Sequence, residues 1–235
     1  MVQVKAIGEL LERPVFIRIK FQKTGKLQYI SHLDLLRTFH KMLVRSRMPL
    51  WFSEGFNPKP KMIFASSMSV GLESLCEFVD VRINRCVDTD SVVNALNDCS
   101  SKELCVLEAY YPESSFTDIA WARYEISITS KDAEGAEEKC LGALKASPLL
   151  VMKRTKSGDK ETDISSYVGD VQALPSDKGV AVSVMLRAEN TSFLNPEYLV
   201  SVLRRDVGIL GGDLLQNTYS IVRTDMYDKD FIPFR

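Results

Sequence analysis

Residues 15–21 read VFIRIKF, with Val15, Ile17, Ile19 and Phe21 apolar at every second position and Phe16, Arg18 and Lys20 between them. Successive side chains of a strand point to opposite faces. The run is therefore stable only as a half-buried strand, with Val15, Ile17, Ile19 and Phe21 on a core and Arg18 and Lys20 facing outward. The next segment changes period. Ser31 and Asp34 have the S-x-x-D spacing of a helix start. Leu33, Leu36, Phe39 and Leu43 then form an apolar stripe, widened by Leu35 and Met42. Arg37, Lys41 and Arg45 recur every four residues on the opposite side, and Pro49 ends the helix. A one-faced strand feeding a one-faced helix requires a sheet layered against helices.

The same reading continues along the chain. Residues 50–52 and 62–65 predict short strands, 76–83 (CEFVDVRI) and 104–110 longer ones, and 91–96 a helix behind an Asp90 cap. The order strand, helix, strand, strand, helix, strand is the ferredoxin-like βαββαβ plan with an antiparallel sheet, with residues 53–75 inserted between its second and third strands. The order recurs in strands at 123–129, 149–154, 179–187 and 218–223 and helices at 133–146 and 195–207. There Asn195 acts as cap, Pro196 takes the first position, residues 155–179 form a second insertion, and Gly211-Gly212 makes a turn. The expected fold is α+β, two ferredoxin-like halves at 1–112 and 121–235.

Charge divides unevenly between them. The chain has a net charge of −1, but residues 1–63 hold twelve basic and four acidic residues, a balance of +8 against −9 in the remainder. This asymmetry points to a polyanion-facing surface, the other readings being ordinary solvated surface charge or a basic face docking on the acidic half. The sharpest local feature is residues 53–61, SEGFNPKPK. Its prolines lower loop entropy, Gly55 permits close approach, Lys59 and Lys61 supply cations, and Phe56 and Trp51 offer rings. Cations interleaved with aromatics are what single-stranded nucleic acid requires. The other role open to the two rings is in the core.

Other chemistries find little support. The five cysteines, Cys76, Cys86, Cys99, Cys105 and Cys140, form no C-x-x-C pair, and the two histidines, His32 and His40, lie eight apart. No metal and no cofactor are expected, and the odd, irregular cysteine spacing predicts no disulfide framework. Phosphate-loop, dinucleotide and serine-elbow motifs are absent. The first fourteen residues carry acids and no apolar segment, and no apolar run approaches the ~20 residues that span a bilayer. A cytoplasmic protein without a membrane is expected. His32 is a structural residue packed near the helix stripe or, in the alternative, a general acid or base. Glu77 and Asp80 fall on opposite faces of their strand, so they cannot form one carboxylate pair.

Residues 23–81 resemble the radical SAM-linked family, a bacterial domain of unknown function. The resemblance rests on Lys23, Gly25, Ser31, His32, Asp34 and Arg37, on Ser53, Gly55, Phe56, Asn57, Pro58 and Pro60, and on Gly71, Glu73, Ser74 and Glu77. At residues 163–167 (DISSY) the chain departs from the family pattern, with Ser165 and Ser166 where arginine and proline are usual. The resemblance implies a radical SAM protein as partner. The expected function is that of a non-catalytic accessory module binding RNA through Arg18, Lys20, Lys26, Arg37, Lys41, Arg45, Phe56, Asn57, Lys59 and Lys61. The alternatives are a metal-independent RNA-processing or RNA-modifying enzyme using His32, and a domain that docks an acidic protein.

Overall fold

In the computed structural model, which describes residues 2–155, 158–211 and 217–235, the chain divides into two compact units, residues 1–116 with Arg235 and residues 117–234. The first contains β1 (Ala6–Ile7), β2 (Val15–Lys23), α1 (His32–Arg45), β3 (Met62–Phe64), β4 (Glu73–Ile83), β5 (Cys86–Val87), α2 (Thr89–Asp98) and β6 (Leu104–Tyr110). Its main sheet runs β6-β2-β4-β3 with every neighbour antiparallel, and β1 and β5 form a separate ribbon. Register places Ile17 opposite Val81 and Ile19 opposite Val79. These four, with Phe21 and Ile83, bury against Leu35, Phe39, Met42 and Leu43 of α1 and Val92, Ala95 and Leu96 of α2. A one-residue slip would turn all of them to the other face, so the core itself holds the register.

Ser31 caps α1 as expected, its hydroxyl accepting the Asp34 N–H at 3.1 Å. The buried stripe, however, is Leu35, Phe39, Met42 and Leu43, and Leu33 is exposed. Leu33 lies about 160° around the helix from Leu35, so both cannot face one core. The cap of α2 is Asp88 rather than Asp90, because the Asp88 carboxylate reaches the Ser91 N–H at 3.0 Å. Residues 50–52 are not a strand: Leu50 and Phe52 make isolated bridges to Ile83 and Pro60.

The second unit contains β7 (Trp121–Thr129), α3 (Glu137–Leu144), β8 (Leu150–Thr155), β9 (Gly158–Asp163), β10 (Val168–Ser176), β11 (Gly179–Glu189), β12 (Ser192–Phe193), α4 (Glu197–Val202) and β13 (Thr218–Tyr227). A wider π-helical turn, Leu203–Val207, extends α4. Within this unit the sheet runs β10-β11-β7-β13, again antiparallel, and β12 folds back on β11. Two expectations are corrected. The strand read at 149–154 does not enter this sheet but pairs with β9 in a separate hairpin. The place beside β11 is taken by β10, inside the stretch read as an insertion. As an edge strand, β10 has one face in solvent and buries only Val171 fully, so it lacks the alternation that marks strands with a buried face. Of the glycine pair read as a turn, Gly212 lies outside the described residues. The fold is thus α+β with antiparallel sheets, and none of its described helices is long and apolar enough to cross a membrane.

Candidate nucleic-acid interface

The loop after α1 is closed at its base by the backbone. The Ser53 N–H donates to the Lys59 carbonyl at 2.8 Å, and the Lys59 N–H returns to the Ser53 hydroxyl at 3.0 Å. Below this closure Lys61 N–H donates to Trp51 C=O and Arg82 N–H to Lys61 C=O, each at 2.9 Å, which fastens the loop to β4. Pro58 and Pro60 restrict the returning limb. Gly55, at φ +116°, takes a backbone conformation that L side chains rarely adopt. Next to it Phe56 is fully exposed, and Asn57 is exposed beside it.

Two open grooves flank this loop. In the first, His40, Lys41, Val44 and Arg45 of α1 face Phe52, Pro58 and Lys59 across about 440 Å³. In the second, Phe16, Ile63 and Arg82 of the sheet face Ser53, Lys59 and Lys61 across about 330 Å³. Lys59 and Pro60 line both. The Arg82 guanidinium lies 4.9 Å from the centre of the Phe16 ring, a cation–π distance. Among the described residues, none of Lys41, Arg45, Lys59, Lys61 and Arg82 has an acid within ion-pairing distance. Burial, and then the charge of Lys59, push the His40 imidazole below its ordinary pKa, and its hydrogen bond to the Pro60 carbonyl partly offsets them.

The structure thus brings Lys41, Arg45, Lys59 and Lys61 together. It separates others from them. Arg18 is 1% exposed and does not point into solvent. Its Nε and Nη2 donate to the two carboxylate oxygens of Asp80 at 2.7 and 2.8 Å, Nη1 donates to the Ser114 hydroxyl at 2.7 Å, and Nη2 also donates to the Ser114 carbonyl at 3.0 Å. The Phe116 ring covers it at 4.3 Å. The expected phosphate contact at Arg18 is therefore corrected: residues 114–116 roof the outer face of β2. Lys20 is half-buried over the Phe78 ring. Lys26 is exposed on the 3₁₀ turn Gly25–Tyr29, and Arg37 is exposed with its Nη1 3.3 Å from Asp34. Neither lines a groove. Trp51 is half-buried beneath the loop.

A second group of motif residues gathers where α1 begins. His32 is exposed rather than packed away, with Nδ1 3.0 Å from the Ser67 hydroxyl and its ring edge-on to Phe64 at 5.3 Å. Behind it, buried Lys23 and Glu77 line a space of about 10 Å³, at the lower limit for one water. Lys23, the last residue of β2, donates from Nζ to the Leu72 carbonyl at 3.1 Å. Glu73 Oε1 accepts the Gly25 N–H at 2.8 Å, and the Gly71 N–H donates to the Gln28 carbonyl at 2.8 Å. These bonds clamp the turn after β2 to the start of β4. Next to them, the Ser31 hydroxyl and then Arg37 hold the Asp34 carboxyl below its usual range. No three His, Cys, Asp or Glu residues among those described converge as a metal site.

A family model described as an uncharacterized protein conserved in bacteria (DUF2344) matches residues 17–196. The chain belongs to that family. No curated protein matches it. The DUF2344 match begins inside β2 and runs through α1, the loop, both grooves and most of the second unit, so the candidate interface lies almost wholly within the family's span; Phe16 stands one residue before it.

Within this DUF2344 chain the residues that a linear reading overlooks are Phe16, His40, Phe52 and Arg82. Phe16 and Arg82 become neighbours because they are directly paired across β2 and β4. Arg82 is two residues from Asp80 on β4 and shares its face, and strand register together with the bond to Lys61 brings it to the loop.

Proposed function

We propose that this DUF2344 protein is a non-catalytic accessory module that binds RNA through the basic surface around residues 53–61. Four of the cations expected to contact phosphate, Lys41, Arg45, Lys59 and Lys61, line grooves on either side of one closed loop without acidic partners among the described residues, and this observation carries the reading. Unpaired cations attract a polyanion and release its counterions. The family resemblance adds a radical SAM enzyme as the partner to which RNA would be presented, and a cytoplasmic location is part of the same proposal. We further propose that each unit is a ferredoxin-like half. The strand orders β6-β2-β4-β3 and β13-β7-β11-β10 support it, because both place the outer strands of a βαββαβ chain as that plan does.

The test is a salt titration of RNA binding by the wild type and by a variant with Lys41, Arg45, Lys59 and Lys61 changed to Glu. All four are exposed, so the variant is expected to fold. The wild type should weaken steeply with salt, and the variant should lose binding together with roughly three units of the log–log slope, about 0.7 per single-strand contact. Equal, weak binding by both proteins would overturn the proposal in favour of an acidic protein partner. A second reading, RNA processing through His32, draws on its exposed bond to Ser67. Cleavage of RNA by the wild type and not by His32→Ala would establish it.

A further inference from the structure

We infer that the ligand of this surface is an unpaired strand that crosses the loop, with a phosphate at Lys59 and bases on both sides. The inference rests on the RNA-binding reading and adds the substrate's conformation. Charge alone would suit a duplex as well as a single strand. The apolar side chains distinguish them.

Val44 and Phe52 on the first groove, Ile63 on the second and Phe56 at the loop tip are between 43% and 111% exposed. They interleave with Lys41, Arg45, Lys59, Lys61 and Arg82. Solvent hydrates exposed lysines without cost, but it gives nothing back for exposed apolar side chains, and exposed apolar groups rimmed by cations around one loop suit a contact site. A duplex cannot cover those rings, because its bases are stacked on one another and show only edges and phosphates. An unpaired strand presents base faces, which stack on aromatic rings and on guanidinium planes. Arg82 already lies against Phe16 at 4.9 Å, so its outer face is a flat, charged platform held in place before any base arrives.

Continuity across the loop follows from the shared wall. Lys59 and Pro60 line both grooves, and Lys59 has no acidic partner among the described residues. A cation at the crest between two apolar-walled grooves suits a backbone phosphate whose flanking bases turn down on either side. The closure between Ser53 and Lys59 keeps that crest in place, so little loop entropy is lost on binding.

The experiment measures fluorescence anisotropy with an oligoribonucleotide of about twelve nucleotides and with the same strand annealed to its complement. The proteins are wild type, Phe56→Ala, Phe56→Trp, Arg45→Gln, Arg82→Gln and the Arg45→Gln/Arg82→Gln double variant. The unpaired strand should bind at least about tenfold more tightly than the duplex. Phe56→Ala should cost it about tenfold, the scale of one base–ring stack, while Phe56→Trp keeps the affinity and the duplex is indifferent to both. Arg45→Gln and Arg82→Gln should each weaken the single strand, and their fold-losses should multiply in the double variant. Equal affinity for strand and duplex, or a loss confined to one groove, would overturn the crossing strand while leaving RNA binding intact. Failure of the wild type to bind either RNA would remove the underlying reading as well.

Discussion

Replacing Arg18 with alanine should unfold the first unit far more readily than any surface substitution. The guanidinium makes two hydrogen bonds to Asp80 and two to Ser114 at 2.7–3.0 Å, and both charged side chains are nearly sealed from water, at 1% and 12% exposure. Deleting one partner leaves a buried carboxylate without its counter-charge, a loss of about 3–5 kcal/mol. Against a domain stability of about 5–15 kcal/mol that is a large fraction. With a urea dependence of about 1–3 kcal/mol/M, the midpoint should drop by roughly 2 M. The pair Arg18→Met/Asp80→Leu removes both charges and keeps the volume, so it should recover most of the loss. Urea unfolding of the full chain, followed by circular dichroism for the wild type, both single variants and the double, measures the coupling. If Arg18→Ala keeps the wild-type midpoint but loses RNA affinity, Arg18 is a phosphate contact and the buried-pair account is wrong.

His32→Ala should cost only about 0.5–1.5 kcal/mol, the value of one solvent-exposed hydrogen bond, because both His32 and Ser67 are exposed; thermal melts read this directly, and a cost above about 3 kcal/mol would contradict it. Gly179→Ala would place a Cβ 2.3 Å from the Ile128 carbonyl oxygen at φ +152°. It should destabilise the second unit by about 1–3 kcal/mol or more without altering RNA binding, as denaturation and anisotropy on one sample would show. His40 titrates below its ordinary 6.5 in the folded chain, so the unfolded state takes up its proton first. Its contribution to stability should therefore fall as pH drops below 6.5 and level off below the folded pKa. Bound phosphate favours the imidazolium, so RNA affinity should rise over the same window, and His40→Gln should flatten both profiles.

The legible parts of this fold were those whose signal is local. Ile17, Ile19 and Phe21 announce a buried face through spacing alone, and Ser31 announces a helix start. Arg18 shows the limit: alternation placed it on the far face of β2, but whether that face is wet depends on Ser114 and Phe116, almost a hundred residues away. The same limit hid β10, whose place in the sheet comes from pairing with β11 and not from its own pattern. In the candidate interface Lys59 and Lys61 were legible because they stand within one loop. Arg82 and Phe16 were not, since no single-strand pattern reports which residues become neighbours across a sheet.

The closed base of the 53–59 loop separates two properties that usually trade against each other. Because hydrogen bonds between Ser53 and Lys59 fix the ends, residues 54–57 project outward and are exposed, and apart from Gly55, whose φ of +116° favours glycine, the rest of the unit does not depend on their identity. Replacing the other three or lengthening the tip costs little, since loop closure grows only as the logarithm of length, about 0.6 kcal/mol per doubling. The tip can therefore diverge, or be redesigned, to prefer another ligand while the scaffold that presents it stays the same.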